Sequence, residues 1–333
     1  MATIVLSEAA VHELLTMREC IGVMEEALVG VERGEVHQPL RQLIRAPDAA
    51  GFLGLMPAYR GGETPMYGLK EVCIFGSNPA RGLDTHLGAV LLHSGETGEL
   101  LLIASASAIT AIRTAAVSAV ATRLLAREDA STLAVIGTGV QGRAHLESIP
   151  LVRRIHEVRI CGRDRQRAEL LVADARARLG GEAGVERIRV CESVEEAVQG
   201  ADIIVTATSS REPILRREWV GEGVHIDAVG SSVATARELD GATVAASALF
   251  VDRRESTIHE SGDYLMALRD GAIGPDHIRA ELGEVLLGKA AGRTSERDLT
   301  LFKSLGLAIE DLASAVFLYE QAERMGVGTR VQL

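Results

Sequence analysis

The chain is short of lysine. Of its 35 lysine and arginine residues only Lys70, Lys289 and Lys303 are lysines. An amine can be desolvated into a tunable acid or base, whereas a guanidinium stays charged. Each surviving lysine is therefore a candidate for chemistry, with chance survival on a surface as the alternative. Cysteine is scarce too: Cys20, Cys73, Cys161 and Cys191 are scattered with no C-x-x-C pair. That pattern speaks against a metal cluster or a disulfide framework and fits a reducing, cytoplasmic setting. Long apolar runs are missing, so no membrane span is expected. The start, MATIVLSEAA, lacks the basic segment, apolar core and cleavage site of an export signal. Basic charge is in deficit: the formal net charge of −11 disfavours nucleic acid as a partner, although a local basic pocket stays open. What is present is a 47% hydrophobic chain of 333 residues, long enough for two globular domains.

The most informative stretch is Ser131 to Gly142, STLAVIGTGVQG. Thr132 to Ile136 is a short apolar, β-branched run of the kind a buried parallel strand shows. Gly137, Gly139 and Gly142 complete a G-x-G-x-x-G, with Val140 and Gln141 between the last two, and helical spacing follows. Gly137 suits the tight turn, Gly139 the close approach of backbone to a pyrophosphate, and Gly142 the packing of helix on strand. The helix start offers free N–H groups and a positive dipole end to the phosphates. A tight structural turn can also give a glycine triplet, but here it follows a strand, opens a helix and precedes a second strand. A dinucleotide site is expected.

Around this centre the chain reads in order. Thr3 to Leu6 is a strand candidate, Ser7 can cap a short helix, and Thr16 with Glu19 has capping-box spacing before a helix ending near Gly34. Short extended runs follow, Leu40–Ile44, Phe52–Met56, Tyr67–Phe75, Leu87–His93 and Glu99–Ile103, the last two as a hairpin, giving an antiparallel β-rich unit. Ser105 to Arg127 reads as a connecting helix. Strand candidates Glu157–Cys161, Arg187–Cys191, Asp202–Thr206, Val224–Val229 and Leu249–Val251 then alternate with helical patterns, and Leu305 to Met325 is a final amphipathic helix. The expected fold is α/β: a central doubly wound Rossmann-type domain over 119–311, and an α+β substrate and dimerisation domain over 1–118 completed by 312–333.

The second strand of the dinucleotide unit, Val158 to Cys161, ends in Gly162-Arg163-Asp164-Arg165. An acidic residue at this position binds the ribose 2′-hydroxyl. Glycine there removes repulsion of a 2′-phosphate, and Arg163 can grip that phosphate, so NADP(H) is favoured over NAD(H). The alternative is that Asp164 turns inward to the ribose while the arginines are merely solvated.

Taken together, GLMPAY (Gly54 to Tyr59), GLKEV (Gly68 to Val72), TAIRTAA (Thr110 to Ala116), GTGVQ (Gly137 to Gln141), HIDAVGS (His225 to Ser231), ESGD (Glu260 to Asp263) and FKSLGLAIED (Phe302 to Asp311) resemble the ornithine cyclodeaminase and mu-crystallin family over almost the full length. The resemblance implies a homodimer and hydride transfer between NAD(P)H and the α-carbon of a small amino or imino acid lying against the nicotinamide. By matching motif it implies that Arg41 binds the substrate carboxylate, with Arg45 as the alternative register, and that Lys70 is the active-site lysine. The flanking Tyr67-Gly68-Leu69 and Val72-Cys73-Ile74 suit a half-buried strand that would lower an amine's pKa. Thr85, Arg113, Gln141, Thr208 and Ser304 fall on dinucleotide-contacting positions, joined by Val229 and Gly230. For Arg113 the alternative is a salt bridge to the last helix. His86, Tyr59 and Ser232 are candidate substrate-pocket residues. Asp311 can orient the lysine or the nicotinamide end, with a helix cap or surface acid as the alternative. One departure is pointed: by the resemblance, cyclodeaminases and archaeal alanine dehydrogenases carry an aspartate just after the A-V-G stretch, where this chain, like mu-crystallin-like reductases, has a serine, Ser232. A hydroxyl is no carboxylate base near neutral pH, and Asp227, five residues upstream inside a strand, is poorly placed to replace it. The expectation is imine reduction or the equivalent amino-acid oxidation, with cyclodeamination, or NADPH-dependent ligand binding without turnover, as rivals.

Overall fold

The computed structural model describes residues 2–180 and 184–332, so the outermost ends of the expected first domain, Met1 and Leu333, lie outside the described residues. The chain forms two compact units, Met1–Arg113 with Gly306–Leu333, and Thr114–Leu305. In chain order the described strands are β1 (Thr3–Leu6), β2 (Val36–His37), β3 (Gln42–Ile44), β4 (Phe52–Arg60), β5 (Met66–Ile74), β6 (His86–Ser94), β7 (Leu100–Ser105), β8 (Thr132–Ile136), β9 (Glu157–Cys161), β10 (Arg187–Val190), β11 (Ile203–Thr206), β12 (His225–Ala228), β13 (Ala248–Val251), β14 (Ile278–Glu281), β15 (Thr300–Lys303) and β16 (Thr329–Val331).

In the first unit the sheet runs β16-β1-β7-β6-β5-β4-β2, with β3 also on β4. It is mixed, not purely antiparallel as expected, because β1 lies parallel to β7. That pairing needs a long crossover, and the chain supplies one in the helices and hairpins between the two strands. Thr16 and Glu19 close the capping box of the helix Met17–Glu32. Along β5 the residues Gly68, Lys70 and Val72 alternate onto the buried face, as the two-residue period of a strand requires. The helix Ala308–Met325 packs over that face. It buries Ile309, Leu312, Ala315, Val316 and Leu318. A side chain at Gly68 would place its Cβ 2.9 Å from Leu312, so glycine is what lets helix and strand close up. This helix starts at Ala308 and not at Leu305: Gly306 takes a left-handed φ of 79°, and the chain turns there before helical geometry begins.

In the second unit the sheet order is β10-β9-β8-β11-β12-β15-β13-β14, and neighbouring strands pair in parallel. With β8 as the first strand, the five leading members run 3-2-1-4-5, as in the doubly wound dinucleotide order, and the sixth place is taken by β15, the eighth strand of the unit. Leu133 and Val135 of β8 join one hydrophobic cluster while Ala134 and Ile136 join another. Both faces are therefore covered, which explains why β8 and β11 read as nearly continuous apolar runs. Four strands were not foreseen: β2 is only two residues, and β14, β15 and β16 carry charged residues that hide their extended character. The helix Ala106–Leu125 is long and apolar enough to cross a membrane by composition, but 78% of that stretch is buried inside the protein, as in a core helix.

Candidate functional site

In the first unit Lys70 is the centre of a buried charge cluster. It leaves only 3% of its surface exposed, and its Nζ lies 2.7 Å from Asp311 Oδ2. The other oxygen of Asp311, Oδ1, accepts from Arg113 Nε at 3.3 Å, and Arg113 Nη1 donates to Glu310 Oε2 at 2.8 Å. Lys70 comes from β5, Arg113 from the helix Ala106–Leu125, and the two acids from the first turn of the helix Ala308–Met325. Acids belong there, since the positive end of a helix dipole favours carboxylates. Burial lowers the Lys70 pKa from 10.5 to about 8, against the raising influence of Asp311 and with the lowering influence of Arg113 and Arg41. An amine at that value can gain or lose a proton near neutral pH.

Arg41 donates through Nη2 to the Gly306 carbonyl at 3.1 Å and is near enough to act on the Lys70 charge. Arg45 lies elsewhere, its guanidinium 4.6 Å from the centre of the Phe52 ring. His86 shares a 2.9 Å hydrogen bond between Nδ1 and the Thr85 hydroxyl. Partial desolvation and the Lys70 cation hold its imidazole below the ordinary range. Tyr59 stacks on Tyr67 with ring centres 4.8 Å apart. Arg113, expected at the dinucleotide, is paired with both acids of the last helix, which was the alternative weighed for it. Asp311 is neither cap nor surface acid: it is 1% exposed and bridges two cations.

In the second unit the glycine turn has the features a pyrophosphate requires. Gly137 has a φ of 124°, and a Cβ on it would collide with the Ala207 carbonyl. Gly142 sits so close to the Gly137 carbonyl that no side chain fits. Gly139 is the N-cap of the helix Val140–Ser148 and brings no side chain to its free amides. Nothing lies within 4 Å of where its Cβ would be, and Val140 beside it is 59% exposed. The open helix start therefore fits a dinucleotide phosphate. The Gln141 carbonyl accepts from His145 Nδ1 at 2.7 Å, which fixes the first helical turn.

At the β9 end, a Cβ on Gly162 would lie 2.6 Å from the Thr138 methyl. Asp164 caps the helix Arg165–Leu179 by accepting from the Arg167 amide. The Thr208 hydroxyl donates to Glu238, Val229 and Gly230 follow β12, Ser232 is half-buried, and Ser304 donates its amide to the Ala228 carbonyl. Asp227 is fully buried, accepting from the Thr122 hydroxyl at 2.8 Å and paired with His225 at 3.3 Å. Asp263 and Glu310 stand inside the motifs ESGD and FKSLGLAIED without a role assigned to them, and Glu238 carries no motif of its own.

One unit has the doubly wound dinucleotide fold and the other carries a tuned lysine and a guanidinium, the parts that a nicotinamide-dependent protein acting on small carboxylates needs. The chain belongs to the ornithine cyclodeaminase/mu-crystallin family, whose model matches residues 1–326. It is 39% identical over 300 residues to ketimine reductase mu-crystallin of Mus musculus, covering 89% of this chain and 90% of that one. Among solved structures, the Δ1-pyrroline-2-carboxylate reductase of Thermococcus litoralis in complex with NADH and L-proline superposes with a TM-score of 0.93 at 37% identity, covering 99% of this chain and 100% of that one. An archaeal alanine dehydrogenase dimer with bound NAD gives 0.92 at 34% identity, covering all of both chains.

Proposed function

We propose that this protein is an NAD(P)H-dependent reductase of a small imino acid, or the equivalent amino-acid dehydrogenase running the same reaction in reverse. The observation that carries the reading is the Lys70–Asp311 pair, 2.7 Å apart and buried. The protonated amine gives its proton to the imine nitrogen, and Asp311 holds it in place. Arg41 grips the substrate carboxylate with its planar fork. Lys70, Arg113 and Arg41 bring three positive charges against the two negative charges of Asp311 and Glu310, so the cluster has one excess cation for a monocarboxylate. When bound, the dinucleotide supplies the hydride to the imine carbon; hydride plus proton converts C=N to CH–NH. Gly137, Gly139 and Gly142 would hold its phosphates, with Thr208, Val229, Gly230 and Ser304 around its other half.

NADP(H) is the favoured form. Gly162 offers no carboxylate, Asp164 is committed to capping its helix, Arg165 pairs with Glu169 and Glu192, and Arg167 with Asp164. Arg163 is exposed and makes none of these contacts. The relatives solved with NADH and NAD make this preference a test of this chain in particular. A homodimer, with the chain in the cytoplasm, completes the reading. Ile44, Leu53, Cys73 and Leu87 face one another across β3, β4, β5 and β6, and the 58% exposure of Ile44 and 41% of Leu87 leave an apolar row for a second copy to cover.

Cyclodeamination, the rival, needs a carboxylate base, and Asp227 is fully buried inside β12, accepting from the Thr122 hydroxyl. The deciding experiment is NADPH oxidation with Δ1-pyrroline-2-carboxylate, Δ1-piperideine-2-carboxylate, and pyruvate or oxaloacetate with ammonia or methylamine, in parallel with ammonia release from ornithine. Oxidation with a monocarboxylate imine is expected. Ammonia release without net cofactor turnover would establish the rival.

A further inference from the structure

Two of the three lysines are buried against carboxylates, and only Lys70 belongs to the cluster described so far. Lys303 ends β15 with 1% of its surface exposed. Its Nζ lies 2.9 Å from Asp263 Oδ2 and donates to the Gly230 carbonyl at 2.7 Å. Asp263 Oδ1 accepts from the amides of Glu238 and Leu239 at 2.8 and 3.0 Å. Glu238 then reaches back to the strand ends. Its Oε1 accepts from the Thr208 amide and hydroxyl at 2.7 and 2.6 Å, and its Oε2 from the Thr206 hydroxyl at 2.8 Å.

Two loops are thereby joined, residues 207–210 after β11 and 229–232 after β12. The amides of Val229 and Gly230 donate to the Thr206 carbonyl at 2.8 and 3.1 Å, and the Ser231 hydroxyl donates to the Ser210 carbonyl. A Cβ on Gly230 would collide with the Thr208 carbonyl and stand 2.7 Å from the Glu238 carboxylate. Ser231, with a φ of 53°, is the one non-glycine residue at positive φ among the described residues. Such a conformation persists only where its surroundings over-determine it.

In a sheet of this order the dinucleotide straddles the carboxyl ends of the strands. The adenosine half lies on the β9 side of the glycine turn and the nicotinamide half on the β11 and β12 side. We propose that Lys303, Asp263 and Glu238 form a positioning cluster that holds these two loops in the shape that receives the nicotinamide half. The proposal rests on reading this unit as the dinucleotide site. Burial raises the Glu238 pKa while Lys303 and the Thr208 donors favour its carboxylate. A compact ammonium meets a carboxylate and a carbonyl at a single point, which the broad fork of arginine does not. This accounts for a lysine in an arginine-rich chain.

The test compares two probes on the full-length protein: NADPH, and ADP-ribose 2′-phosphate, which is NADPH without the nicotinamide. Lys303→Met and Glu238→Gln are expected to weaken NADPH about tenfold or more, the loss of one or two charge-assisted buried hydrogen bonds. The nicotinamide-free probe should hold within about twofold. If Lys303→Met does not fold, the milder Glu238→Gln carries the comparison. Equal weakening of both probes, or no change in either, would overturn the positioning role. Wild-type protein that binds neither these probes nor NADH and ADP-ribose would overturn the dinucleotide reading itself, a result distinct from either.

Discussion

At the residue scale the account turns on what surrounds one amine. Asp311 raises the Lys70 pKa, whereas burial, Arg113 and Arg41 lower it. For a proton donated to the imine, kcat/KM in the reductive direction should fall as pH rises through about 8. Asp311→Asn removes the raising influence, so its alkaline limb should move to lower pH; a limb that stays put or moves up would show that Asp311 does not act on Lys70. Stability carries the opposite sign. The folded pKa of about 8 lies below the unfolded 10.5, so the unfolded chain binds more protons between them. The wild type should therefore gain stability over that window relative to Lys70→Met, by a few kcal/mol at about 1.4 kcal/mol per pKa unit. Denaturant titrations of both proteins at pH 7.5 and 10 would measure it. Lys70 stood out in the sequence because lysine is rare, the strand around it reads as half-buried, and GLKEV resembles the motif that carries the family's active-site lysine. Its partners were less so: Asp311 had four open roles, and Glu310 lay inside FKSLGLAIED with no role assigned, because ion pairs between residues about two hundred apart leave no local pattern.

Elements decide whether those residues meet. The helix Ala308–Met325 can set Asp311 against Lys70 only because Gly68 lets it approach β5, with Leu312 at 2.9 Å from the missing Cβ. Gly68→Ala should overpack this contact and cost about 1–3 kcal/mol. Thermal unfolding would register that as a lower Tm, and the activity should fall with it. An unchanged Tm would mean that the helix sits more loosely than described. The glycine turn was readable in full, since strand, turn and helix are consecutive and each glycine answers a local steric demand. The short strands β14 to β16 were not, because their place is set by sheet neighbours distant in sequence.

At the scale of the whole molecule, the proposed function divides the work between the two units: proton and carboxylate chemistry in one, cofactor binding in the other. This division was legible from the glycine turn and from the order of the family motifs, while the parallel seating of β1 on β7 depended on long-range pairing that no window of sequence contains. The apolar row across β3 to β6 predicts self-association. Ile44→Glu together with Leu87→Glu should halve the mass measured by light scattering, and a wild type already monomeric at micromolar concentration would contradict the homodimer. On the proposed NADP(H) preference, Arg163→Ser should weaken NADPH about tenfold, the scale of one lost charge-assisted contact, and leave NADH little changed.

The most direct test of the central claim is turnover by Lys70→Met with a saturating imino-acid substrate, measured together with dinucleotide binding. The account predicts that NADPH still binds with affinity close to that of the wild type while its substrate-dependent oxidation is lost. A variant that binds and oxidises NADPH at the wild-type rate would show that the proton comes from elsewhere.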